Sequence, residues 1–111
     1  NCVWQGYANS VALQCFALAS TPPATLNVTG LERISIRELA TCMGELLGRQ
    51  PIITGTEAPT ALLSNAKKCR ELFGDSDVPI DVLCKWIANW ITSGGKTLSK
   101  PTHFETRDGK F

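Results

Sequence analysis

Apolar and polar positions alternate along this chain with two different periods, and the predicted elements follow from them. Tyr7 to Ser20 places Val11, Ala12, Cys15, Phe16, Leu18 and Ala19 at helical spacing, and Pro22-Pro23 stops the run. Leu26 to Val28 is a short β-favouring stretch closed by Gly30. Next, Ser35 and Glu38 form S-x-x-E, a capping box, with Ile34 and Leu39 at the staple positions. Leu39, Met43, Leu46 and Leu47 carry the apolar face on to Gly48, which predicts a helix over Ile36 to Leu47. Pro51 to Thr54 reads as a second short strand, and Pro59 as the start of a third helix. That helix has a buried side of Leu62, Leu63, Ala66, Cys69, Leu72 and Phe73, and Gly74 ends it. The fourth helix runs from about Ile80 to Thr92 and closes at Gly94-Gly95.

Strand, helix, strand is the βαβ order, with a right-handed crossover between parallel strands. The expected class is therefore α+β, with about four helices and two short parallel strands. Cys2-Val3-Trp4 reads as the end of another strand whose partner lies elsewhere. Residues 96–111 are polar, with Pro101 and Asp108-Gly109, and form a tail.

Composition narrows the functional classes. The chain has 111 residues, the size of one domain, and an apolar share of 43% is enough for a core. Eleven basic residues nearly cancel ten acidic ones without clustering, which argues against nucleic acid as a partner. No apolar run approaches the roughly 18 to 20 residues of a membrane span. The five cysteines, Cys2, Cys15, Cys42, Cys69 and Cys84, are widely spaced without C-x-x-C, so neither a disulfide framework nor a zinc site is expected. A reducing cytoplasm fits them best. Asn27-Val28-Thr29 matches the glycosylation sequon, but no secretion signal accompanies it.

Local motifs supply no chemistry of their own. Ser93-Gly94-Gly95-Lys96-Thr97 ends like a Walker A loop, yet Trp90 stands where its first glycine belongs, and it follows a helix. A helix C-terminus presents carbonyls to a phosphate, so a glycine cap is the better reading. Gly30 is a lone glycine rather than G-x-G-x-x-G, and Ser35 occupies amides a phosphate would need. His103 has no acid–base partner at a suggestive spacing, and Val11 stands four residues after Tyr7, where a Tyr-x-x-x-Lys pair would need lysine. Trp86 and Trp90 share a helical face, which suits packing or an interface. Arg33, Arg37 and Arg49 flank the capped helix as surface cations.

Four segments in order carry a resemblance. They are Val3-Trp4-Gln5-Gly6-Tyr7-Ala8-Asn9, Leu26-Asn27-Val28-Thr29-Gly30, Ser35-Ile36-Arg37-Glu38-Leu39-Ala40, and Thr54-Gly55-Thr56-Glu57-Ala58-Pro59-Thr60-Ala61-Leu62-Leu63-Ser64-Asn65. Together they resemble the C-terminal part of an NAD-dependent epimerase/dehydratase of the extended short-chain dehydrogenase/reductase family. The resemblance implies a substrate-holding lobe, inactive alone, that closes on an N-terminal Rossmann domain. That domain would bring NAD or NADP and the Tyr-x-x-x-Lys pair, so no catalytic or cofactor residue is expected here. A chain that starts at Asn1 with Met43 as its only methionine is expected to be a trimmed piece of that enzyme. Residues 1–20 would then be a remnant of the last Rossmann strand and helix, 21–95 the substrate domain, and 96–111 the tail.

The substrate class implied is a small molecule such as a nucleotide-sugar, with Gln5, Tyr7, Asn9 and Arg37 as candidate contacts. The family tends to have an acidic residue where Tyr7 stands, which would cap the following helix. The alternative function is a helical interaction or homo-oligomerisation module built around Trp86 and Trp90, without catalysis.

Overall fold

The computed structural model describes residues 1–100; the tail from Pro101, with His103 and Asp108-Gly109, lies outside the described residues. Helix α1 spans Gln5–Gln14 and tightens into a 3-10 turn at Cys15–Leu18. Helices α2 (Ile36–Leu47), α3 (Lys67–Phe73) and α4 (Ile80–Thr92) follow. Among the described residues no strand forms, so the expected α+β class is corrected to an all-helical one joined by long segments without regular secondary structure.

The two helices with chemistry at their ends form as expected. On α2, the Ser35 hydroxyl oxygen accepts from the Glu38 N–H at 3.3 Å, one half of the capping box. At the other end Gly48 takes the left-handed conformation, φ 64° and ψ 32°. There the Gly48 N–H bonds the Glu45 carbonyl and the Arg49 N–H bonds that of Gly44, at 3.3 and 2.9 Å, which is the Schellman pattern. Helix α4 ends the same way: Gly94 donates to Ile91 and Gly95 to Trp90, at 3.1 and 2.8 Å. The Ser93, Gly94 and Gly95 amides of the Ser93-Gly94-Gly95-Lys96-Thr97 stretch are thus spent on the helix.

The expected strands fail for want of partners. A β-ladder needs two extended backbones exchanging bonds, but Leu26–Val28 and Pro51–Thr54 never pair. Ile52 is 91% exposed, so the second stretch has no face against a core. Near the first, one backbone bond runs from the Gly30 N–H to the Cys2 carbonyl at 3.1 Å. The other links between these segments come from side-chain amides. Asn1 Nδ2 donates to the carbonyls of Gly30 and Ser64 at 2.9 and 2.8 Å, and Asn1 Oδ1 accepts from the Ser64 N–H at 3.3 Å. Asn27 Nδ2 reaches the Asn65 carbonyl at 3.3 Å. Three segments therefore lie together, joined mostly by asparagine side chains where a sheet would use backbone.

The third helix also starts later than expected. Leu62 and Leu63 stay exposed in a run outside any helix, and Asn65 Oδ1 accepts from the Lys67 N–H at 3.0 Å. That Asx bond sets the start of α3 after Pro59 has passed. Helix α1 begins two residues before its expected start, so Tyr7 lies inside its first turn.

Two small cores hold these helices. Val11 of α1 meets Ala66 and Cys69 at α3, with Tyr7, Cys15, Leu26, Val28 and Phe73 around them. Helix α4 turns Cys84 and Ala88 inward, and α2 packs on α4. Trp4 meets Trp86 edge-on, with ring centroids 5.8 Å apart, joining the N-terminal segment to α4.

Two substitutions test these joints. Ser35→Ala is expected to cost about 1 kcal/mol through loss of the cap. At Gly30 an added Cβ would run into the Cys2 carbonyl oxygen, so Gly30→Ala is expected to cost about 1–3 kcal/mol. Urea denaturation followed by circular dichroism measures both; an unchanged midpoint for Gly30→Ala would show that the Cys2–Gly30 approach is not maintained.

Candidate functional site

A cavity of about 340 Å³ opens where the N-terminal segment, α1, the Gly30 turn and the loop from α3 to α4 meet. Val3, Trp4, Ile34 and Leu83 make its apolar wall, and Tyr7, Thr29, Glu32, Arg70, Asp75 and Ser76 bring polar groups to it. Each arrives for a local reason. Tyr7 is in the first turn of α1, directed toward α3 by the Val11 contact. Gly74 ends α3 at φ 78°, a conformation that favours glycine, and its N–H bonds the Arg70 carbonyl at 2.8 Å. The turn returns Asp75 to Arg70, and their side chains pair at 3.0 Å. Ser76 accepts from the Val78 N–H at 3.3 Å and holds the approach to α4. The first turn of α4 opens here without a side-chain cap.

The Tyr7 hydroxyl donates to the Gly74 carbonyl at 2.6 Å and stands 3.7 Å from Cys69 Sγ. Burial, the Cys69 thiol and, more weakly, the Asp75 charge push its pKa up to about 12. At neutral pH the phenol therefore stays protonated, a positioned donor and not a base. The acidic residue expected to cap a helix at this position would here fall inside the first turn, and Tyr7 reaches Gly74 in its place.

The Arg70–Asp75 pair is more than half exposed on both sides. Such pairs contribute about 0.2–1 kcal/mol, so a ligand can part them at little cost. The guanidinium and the uncapped helix end suit an anionic group, while Asp75, Glu32 and Ser76 suit hydroxyls.

A second, more open hollow of about 540 Å³ lies at the end of α2, lined by Arg37, Thr41, Gly44 and Pro51 among others. The structure thus separates the four candidate contacts. Tyr7 lines the first cavity and Arg37 the second, while Gln5 and Asn9 are exposed on α1 and line neither. Arg37 is engaged by Glu57, with Nε and Nη2 at 3.0 and 2.5 Å from one carboxylate oxygen. Arg70, Asp75, Ser76 and Thr29 are the residues that sequence reasoning missed. A signal did exist in Arg70 and Asp75, opposite charges on either side of the glycine that ends α3.

The tryptophans are only in part a free face. Trp86 meets Trp4, and Trp90 covers Gly95 while its Nε1 donates to the Lys96 carbonyl at 3.0 Å. Among the described residues no group of three or more His, Cys, Asp or Glu side chains is placed to hold a metal, and no helix is long and apolar enough to cross a membrane. Comparison with family models, with curated proteins and with solved structures finds no match.

Tyr7 is the only tyrosine in the chain, so its titration can be followed without overlap from another. Absorbance of tyrosinate is expected to give a midpoint near pH 12 in the folded protein and about 10 in urea. Because the folded value is the higher, the unfolded chain loses its proton first. Stability is then full below about pH 10 and falls as pH rises from there toward 12. Tyr7→Phe should abolish that dependence and cost about 1 kcal/mol at pH 7.

Proposed function

We propose that this chain is the substrate-holding lobe of an NAD(P)-dependent epimerase, dehydratase or reductase acting on a nucleotide-sugar. What supports this is the convergence of the segments that carry the resemblance. Val3, Trp4 and Tyr7 of the first segment and Thr29 and Gly30 of the second line one cavity. Asn1 and Asn27 tie those two segments to Ser64 and Asn65 of the fourth, and Arg37 of the third pairs with Glu57 of the fourth. Segments far apart in sequence are thus joined in space.

In this reading Arg70 leaves Asp75 to hold the diphosphate at the open end of α4, and Asp75 and Ser76 turn to sugar hydroxyls. Tyr7 holds the α3 terminus in place, and the Trp4 ring supplies an apolar floor. The nicotinamide cofactor, which takes the hydride, belongs to the preceding Rossmann domain, and no residue of this chain is assigned to it. All five cysteines are free, which supports a reducing, cytoplasmic setting. The alternative interaction module is less favoured, because Trp86 packs on Trp4 and Trp90 donates to the Lys96 carbonyl, although both rings stay about half exposed.

Calorimetric titration tests the reading. Uridine-diphosphate glucose, as the nucleotide-sugar probe, is expected to bind the full-length protein, and Arg70→Ala to weaken it roughly ten-fold or more, the worth of a charged hydrogen bond. NAD or NADP should bind the full-length protein and give no heat with this chain alone. Cofactor binding by this chain, or an Arg70→Ala affinity equal to that of the parent for every nucleotide-sugar tried, overturns the proposal.

A further inference from the structure

The cavity beside α1 has a charge balance that the closed Arg70–Asp75 pair conceals. Among the described residues lining it, Arg70 is the only basic side chain, while Glu32 and Asp75 are both acidic. Arg70 and Asp75 cancel each other at 3.0 Å. Glu32 is exposed and, among the described residues, takes part in no ion pair or hydrogen bond. Once a diphosphate draws Arg70 away, two carboxylates stand uncompensated in a cavity of about 340 Å³ beside an anionic ligand. Like charges at such range repel, the more so where apolar walls exclude water. A ligand with a neutral sugar leaves that repulsion in place.

We propose that the sugar of the bound nucleotide-sugar carries a free amine, held as an ammonium by Glu32 and Asp75. This rests on the nucleotide-sugar reading and names the kind of sugar within it. The cavity is at the small end for ligand sites, so a ligand seated on Arg70 meets both carboxylates. An ammonium brings three donors and no acceptor, which suits a pair of carboxylates. The Trp4 ring lines the same cavity and meets Trp86 edge-on, 5.8 Å between centroids, and an aromatic wall favours a cation over a neutral hydroxyl. The diphosphate then pairs with Arg70 and the ammonium with Asp75 and Glu32, so each charge of the parted ion pair is matched again. An acetylated amine carries no charge and gains none of this.

The full-length protein is titrated calorimetrically with uridine-diphosphate glucosamine, its 4-amino counterpart, uridine-diphosphate glucose and uridine-diphosphate N-acetylglucosamine. At about pH 6.5 an amine of this kind is charged and both carboxylates are ionised, and a chelator removes divalent ions. One of the two amino sugars is expected to bind about ten-fold tighter than the glucose compound, the effect of one charged hydrogen bond. Raising the pH to about 9, which discharges the amine, should erase that preference. Glu32→Gln, at an exposed position, should keep its helical circular dichroism and lose most of the preference at pH 6.5. Equal affinity for amino and neutral sugars, or a preference that survives Glu32→Gln, overturns the inference and leaves the nucleotide-sugar reading standing. A glucose compound raised to the same affinity by magnesium, through Glu32, also overturns it, since the carboxylates then serve a divalent ion. Binding of none of the four compounds overturns the reading itself, and the inference with it.

Discussion

The hydroxyl of Tyr7, bonded to the carbonyl of Gly74, joins the start of the first helix to the end of the third, and much of the molecule depends on that joint. It lies beside the Val11–Ala66–Cys69 contact, so apolar burial and a polar bond fix the same pair of helices. Burial of this kind stabilises without direction. The hydroxyl adds direction by holding the Gly74 turn, which in turn decides where Asp75 and Ser76 stand. Without that joint the polar side of the cavity would lose its orientation while its apolar wall remained.

The legible parts of the fold were those whose causes are local. Ser35, Gly48 and Gly94 act within a turn or so of chain, and their helices form where their spacing predicts. Strands are different, because Leu26–Val28 needs a partner that no local rule can supply. Asn1 and Asn27 supply side chains in its place, and nothing in their spacing announces this. The delayed start of α3 was missed for a related reason: Leu62 and Leu63 have helical spacing, but the Asn65 side chain makes the decisive bond.

The candidate site divides in the same way. Tyr7 could be singled out from its segment, although as a candidate substrate contact and not as a donor to Gly74. Gln5 and Asn9 share its helix but not its direction, since neighbours along a helix point to different sides. Arg37 was reasonable as a cation and proved to be engaged with Glu57. Arg70 and Asp75 become a pair only when Gly74 adopts positive φ, and the position of the cavity depends on three separate segments meeting.

The Asn1 amide has a consequence for alignment. Strands in a ladder share many equivalent bonds, so a shift by one residue trades most of them for others. A single amide facing Gly30 on one side and Ser64 on the other has no such second choice. Its two donors and one acceptor are matched once, and a slip of either segment would break that segment's contact outright. The three segments are therefore held in an all-or-none register by that side chain together with the Gly30–Cys2 and Asn27–Asn65 bonds.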